Sequence, residues 1–275
     1  MPGTLDGQIA LHNERSAKVW SAGGEQYDDI SRGIADAIAH CVLRLDPQPG
    51  ERILDLSTGT GWTSRVVAER GATVVGVDIA GDLLDVARAK AAAKRLPISY
   101  HLGDAEALPF DDGEFDAVVS TFGVMFATRP EPAAAELARV CRRGGRIALA
   151  TWSPDSSVFE MFMVMRRYMP AQASAPATPP SPFEWGRVER VRELLGGAFD
   201  LRFERGLSYY REPSADAAWH TFSTGYGPTR ALAEGLDPDR SEALRGDFTE
   251  FHARYATDLG ICVPRAYVVT IGTRV

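Results

Sequence analysis

Through its first half the chain alternates short apolar runs rich in Val, Ile and Leu with longer stretches whose apolar side chains recur every three or four positions. The runs 52–56, 73–77, 97–101, 115–120 and 146–151 predict strands, and 30–45, 62–69, 82–94 and 132–141 predict the helices around them. The residues between them agree with this reading. The first helix runs out at Asp46 and Pro47, and Pro49 and Gly50 turn the chain into the first strand. Arg70 and Gly71 form a basic last turn and a glycine stop, and Gly144 and Gly145 make the turn into the fifth strand. Strand–helix alternation of this kind predicts βαβ units and a parallel sheet, an α/β fold.

Beyond Trp152 the alternation breaks. An apolar helix is predicted over 158–169, followed by the Ala/Pro-rich segment 170–182, whose composition excludes a helix. A helix over 188–195 with a stop at Gly196 and Gly197, a strand over 199–204, a helical stretch over 213–258 and a last strand over 266–272 complete the chain. No internal repeat is present.

In a doubly wound sheet the ligand lies outside the carboxyl ends of the strands, so the residues there are read together. The first strand delivers Asp55, Leu56, Ser57, Thr58, Gly59, Thr60 and Gly61, where two glycines permit a tight turn and close backbone approach before a helix N-terminus. The second strand ends in Asp78, a carboxylate placed to accept both hydroxyls of a ribose. The third runs into Gly103 and Asp104, an acceptor for the amino group of a flat base, with Ala105 and further apolar residues beside it. Asp55 is the weakest member of the set, because an acid at a strand end often only ties down its own loop.

The segments ILDLSTGTG, VVGVD, GDAEALPF, FDAVVS and RRGGRIALATW, in that order, resemble the class I S-adenosylmethionine-dependent methyltransferases, and most closely the branch of ubiquinone and menaquinone C-methyltransferases. The resemblance implies a Rossmann-like seven-stranded sheet, mostly parallel with the last strand antiparallel, helices on both faces and a helical cap built from insertions. It places the cap insertions at about 153–186 and 206–264 of a single domain spanning 1–275. It implies S-adenosylmethionine as cofactor. Gly59 and Gly61 would hold its methionine part, Asp78 the ribose and Asp104 the adenine amino group, with Tyr27, Ser57, Ile79, Leu83, Ala105 and Ser120 completing the set. Ser57 departs from the family's pattern, which often has a glycine there.

Composition narrows the acceptor. Acidic residues outnumber basic ones by 37 to 30 and no Lys/Arg cluster forms a phosphate-neutralising patch, which argues against nucleic acid as partner. No stretch reaches the roughly 20 apolar residues of a membrane span, and residues 1–14 lack an apolar leader core, so a cytoplasmic location is expected. The three cysteines, Cys41, Cys141 and Cys262, have no paired metal spacing, so no metal site is expected. A small, apolar or aromatic molecule is the expected acceptor, with His220 and Tyr226 as candidate catalytic residues, His220 as the base and Tyr226 in an aromatic wall. The Met-rich helix 158–169 reads as core packing ahead of a substrate wall. Two alternatives stand beside the enzyme: a non-catalytic S-adenosylmethionine-binding protein, and a nicotinamide-dependent oxidoreductase, for which glycine rather than Ser64 would be expected.

Overall fold

A computed structural model describes residues 7–170 and 180–275. Helices α1 (Glu14–Ser21), α2 (Tyr27–Arg32) and α3 (Ala35–Leu45) precede β1 (Arg52–Leu56). There follow α4 (Trp62–Ala68), β2 (Thr73–Asp78), α5 (Gly81–Ala93), β3 (Ile98–Leu102), β4 (Phe115–Thr121), α6 (Pro130–Val140) and β5 (Cys141–Trp152). The rest comprises α7 (Ser157–Arg166), α8 (Val188–Leu195), β6 (Phe199–Glu212), α9 (Ala215–Gly225), α10 (Gly227–Glu234), α11 (Pro238–Ala253), the two-residue β7 (Ala256–Thr257) and β8 (Gly260–Arg274).

The strands lie in the order β3-β2-β1-β4-β5-β8-β6, with β7 pairing β8 off this path. Strands β1 to β5 pair in parallel, and β8 inserts antiparallel between β5 and β6. The sheet therefore has the implied mostly parallel form with one antiparallel strand. Four of the five residues of β1 and five of the six of β2 are buried, as expected of central parallel strands covered on both faces.

Tertiary context moves several predicted boundaries. The helix expected over 30–45 divides, because Ile34 leaves helical geometry at φ −122° and the Gly33 carbonyl accepts a hydrogen bond from the Arg265 guanidinium. The glycine turn at Gly144 and Gly145 is an irregularity within β5: Phe115 pairs Cys141 whereas Ala117 pairs Arg146, leaving the intervening residues looped out at Gly144, φ +71°. Strands β6 and β8 run far beyond their expected ends, staying paired from Phe199 with Arg274 to Glu212 with Ile261. Their outer halves continue past Trp152, where β5 stops pairing with β8. The helical stretch over 213–258 is three helices, broken at the extended Tyr226 and before the Asp237 cap. Residues 171–179 of the Ala/Pro-rich segment lie outside the described residues. Among the described residues, no helix is long and apolar enough to cross a membrane.

Candidate functional site

The glycine loop leaves β1 through two residues of left-handed backbone, Ser57 at φ 57° and Gly59 at φ +55°. Glycine is required at Gly59, since a Cβ there would also sit 3.2 Å from the Tyr27 ring. Gly61, at φ +73°, forms the N-terminal cap of α4, and a Cβ on it would run into the Tyr100 hydroxyl. Its contribution is to the turn and to close packing.

Asp78 closes this loop from the neighbouring strand. One carboxylate oxygen accepts from the Gly59 N–H at 2.8 Å and the other from the Ala80 N–H at 2.9 Å. Burial raises its pKa, and the backbone donors oppose the rise. Asp104 holds the N-terminal segment in place. One of its oxygens accepts from the Ala10 N–H at 3.1 Å and from the Asn13 side-chain amide at 2.9 Å, and the other accepts from the Glu106 N–H at 3.0 Å. Asn13 is fixed further by the Thr128 hydroxyl, which donates to its carbonyl oxygen at 2.6 Å.

These groups surround a cavity of about 590 Å³ of empty space, bounded by Ser57, Gly59, Asp78, Ile79, Leu83, Asp104 and Ala105 on the sheet side, with Asn13, Ser16, Trp20 and Tyr27 across from them. Phe122, Gly123, Phe126, Ala127 and Thr128, following β4, complete the wall. A second cavity, of about 620 Å³, adjoins it and shares Tyr27, Phe122 and Phe126. It is walled by Ile30, Ile34, Trp152, Val158, Met161 and Phe162, with Tyr210, Phe222, Tyr226 and Phe251, and its polar residues include His252 and Arg265.

Comparison with known proteins is consistent with this architecture. Residues 54–149 match the family profile described as a methyltransferase domain. A Mycobacterium tuberculosis protein described as uncharacterized is 42% identical over 214 residues, which cover 76% of this chain and 77% of the relative. The demethylmenaquinone methyltransferase of Thermus thermophilus is 46% identical over 114 residues, 41% of this chain and 51% of that protein. The chain belongs to the class I S-adenosylmethionine-dependent methyltransferases. In fold, this methyltransferase is similar to the YcgJ protein of Bacillus subtilis, with a TM-score of 0.60 at 16% identity, covering 86% of this chain and 97% of that one. Its cofactor is S-adenosylmethionine. Neither alternative, a non-catalytic binding protein or a nicotinamide-dependent oxidoreductase, is favoured by these relatives.

The donor set fits that cofactor. Two buried carboxylates at the ends of neighbouring strands suit hydroxyl and amino donors, and Ile79, Leu83 and Ala105 supply apolar surface between them. Of the residues singled out from the sequence, Tyr27, Ser57, Gly59, Asp78, Ile79, Leu83, Asp104 and Ala105 line the first cavity, and Tyr226 lines the second. Gly61 and Ser120 line neither: the Ser120 hydroxyl donates to the Leu56 carbonyl at 2.7 Å and accepts from the Val124 N–H at 2.9 Å, tying the ends of β1 and β4 together. Asp55 also faces inward, accepting from the Thr58 and Ser64 hydroxyls at 2.6 Å each, and is a buried loop anchor.

The base candidate needs correction. His220 is exposed and lines neither cavity, because α9 turns it outward while Phe222 and Tyr226 face in. Trp219 packs on Phe248 with ring centroids 5.5 Å apart, between α9 and α11. The Met-rich helix serves both purposes: Met161 and Phe162 line the second cavity, whereas Met165 is buried and its sulfur accepts from the Thr229 hydroxyl. Asn13, Ser16, Phe122, Phe126, His252 and Arg265 were not singled out from the sequence. For Phe122 the signal was its place just after the fourth strand; for the others no local pattern exists.

Proposed function

We propose that this methyltransferase binds S-adenosylmethionine in the first cavity and transfers its methyl group to a small, apolar or aromatic acceptor held in the second. One observation carries the reading: the two cavities meet across a shared wall of Tyr27, Phe122 and Phe126, and the second is lined mainly by aromatic and aliphatic side chains. In this assignment Asp78 accepts the ribose hydroxyls and Asp104 the adenine amino group, while Ile79, Leu83 and Ala105 enclose the base. The backbone at Ser57 and Gly59 faces the methionine part, with Tyr27 against it.

When bound, the cofactor supplies a methyl carbon already activated by its sulfonium. The chain's own contribution is alignment in a water-excluded site, an effect that reaches about 7–11 kcal/mol in the best intramolecular reactions. The aromatic wall, with Phe122 stacked on Trp152 at 3.9 Å between centroids, bounds that space.

Methyl transfer from S-adenosylmethionine to a panel of phenols, quinols and small amines, read as S-adenosylhomocysteine formed, tests the proposal. Met161→Trp, which fills the second cavity, is expected to abolish transfer and leave S-adenosylhomocysteine affinity unchanged. Turnover of a sugar phosphate or small zwitterion in preference to every phenol and quinol would overturn the acceptor assignment.

A further inference from the structure

Arg265 lies in β8, where the outer half of the strand leaves β5 behind and its side chain reaches the α2–α3 junction at Gly33. It is only 7% exposed, yet it borders the second cavity. One terminal nitrogen donates to the Gly33 carbonyl and to the Ser208 hydroxyl, the latter at 3.3 Å. Its Nε–H is buried with no acceptor. The rings of Trp152 and Tyr210 flank the guanidinium at 5.3 and 5.1 Å.

Among the described residues Arg265 makes no ion pair, and none of the residues lining the second cavity is a carboxylate. Asp36 stands one step away, bonded to the Ser208 hydroxyl at 2.7 Å. Burial lowers the pKa of Arg265 to about 10, against the influence of Tyr210 and Asp36, so the side chain remains a cation at neutral pH. The other basic group of this wall, His252, is neutral at that pH: burial lowers it to about 4, and the Arg265 charge acts in the same direction. Its Nδ1 faces the Phe248 carbonyl at 2.8 Å, which can only accept, so Nδ1 carries the proton and Nε2 the lone pair. The cavity wall thus combines aromatic surface with one buried, underpaired positive charge. A buried charge left without a partner is costly, whereas one that meets an anion from the ligand discriminates strongly in favour of that ligand.

Resting on the reading of the second cavity as the acceptor site, we propose that Arg265 makes it selective for apolar or aromatic molecules bearing one anionic oxygen, a carboxylate, phenolate or enolate, which the guanidinium binds. Arg265 is a specificity-determining residue in this proposal, its underpaired charge at the cavity wall being what the anionic oxygen meets.

Calorimetry at saturating S-adenosylhomocysteine, with 1-naphthoate and the matched neutral 1-naphthamide as probes, tests it without requiring turnover. Naphthoate is expected to bind the native protein at least tenfold more tightly than naphthamide. Arg265→Met should erase the difference, and Arg265→Lys, which keeps the charge, should retain part of it. Circular dichroism and S-adenosylhomocysteine affinity report whether each variant is folded, and the native protein's preference stands as evidence even if Arg265→Met does not fold. Equal binding of the two probes by the native protein would overturn the anion proposal and leave the apolar acceptor site intact. Failure of both probes to bind would overturn both.

Discussion

Tyr27 and Tyr226 lie nearly parallel, with ring centroids 6.5 Å apart and planes 17° from parallel, although almost two hundred residues of chain separate them. Tyr27 faces both cavities and Tyr226 only the second. Trp20 meets both edge-on, at 6.2 and 5.5 Å, so the start of the chain and the α9–α10 junction are clamped together where cofactor and acceptor are proposed to meet. Burial is the main cause that raises the pKa of both hydroxyls, and each therefore stays protonated through the neutral range.

The expected role of Tyr226 is that of a ring in the cavity wall, its hydroxyl staying protonated. Tyr226→Phe is expected to leave S-adenosylhomocysteine affinity and the turnover rate close to native. Tyr226→Ala should lose about 3–5 kcal/mol of stability, the usual cost of removing a buried large ring. Thermal unfolding and initial rates measure both, and loss of turnover in a folded Tyr226→Phe protein would show that the hydroxyl takes part.

Asp78→Ala should weaken S-adenosylhomocysteine binding by about 1.5–3 kcal/mol for each lost bond to the charged group. Because Asp78 also holds the Gly59 and Ala80 N–H groups, the variant should also unfold at lower temperature. Calorimetry on the folded fraction separates the two effects. Native affinity in Asp78→Ala would place the ribose elsewhere.

For Asp104 the discriminating ligand is S-inosylhomocysteine, which lacks the exocyclic amino group. Asp104→Ala should weaken S-adenosylhomocysteine more than this analogue, since only the amino group loses an acceptor. Both affinities should also fall by a common factor, because Ala10 and Asn13 lose the carboxylate that anchors the N-terminal segment over the cavity. Equal losses for the two ligands would leave Asp104 with the anchoring role alone.

The two histidines should behave oppositely. His220→Ala is expected to leave turnover unchanged, since the side chain is exposed and away from both cavities. His252, held neutral in the folded protein, takes up a proton on unfolding below about pH 6.5 but not in the native state until about pH 4. Its contribution to stability is therefore complete above pH 6.5 and declines as pH falls toward 4, by at most about 1.4 kcal/mol per pH unit. Asp55, raised to about 6 mainly by burial, acts in the opposite sense over much of that window, favouring the native state as it protonates. The pH dependence of thermal stability in His252→Asn, subtracted from the native curve, isolates the histidine. A flat difference between pH 4 and 6.5 would show that His252 titrates normally.

The sequence by itself determined the alternating half of the molecule and the two acids that line the first cavity. The β-branched runs, the Gly59 and Gly61 loop, and acids at or just after the ends of the second and third strands are local patterns: periodicity dictates the element, and residues where a parallel strand gives way to its loop stand beside the crevice at the sheet's carboxyl edge. Asp78 and Asp104 were legible for that reason. Only the tertiary structure decided how the site is roofed and what the acceptor meets. Asn13 reaches Asp104 across ninety-one positions, and Arg265 reaches the Gly33 carbonyl across 232, distances over which composition and periodicity carry no signal. His220 and Tyr226 were both candidates from the sequence, six residues apart at a glycine turn. Which one faces inward was set by the packing of α9 on α11 and on the long β6–β8 ribbon, and that packing buried the ring and left the imidazole in water.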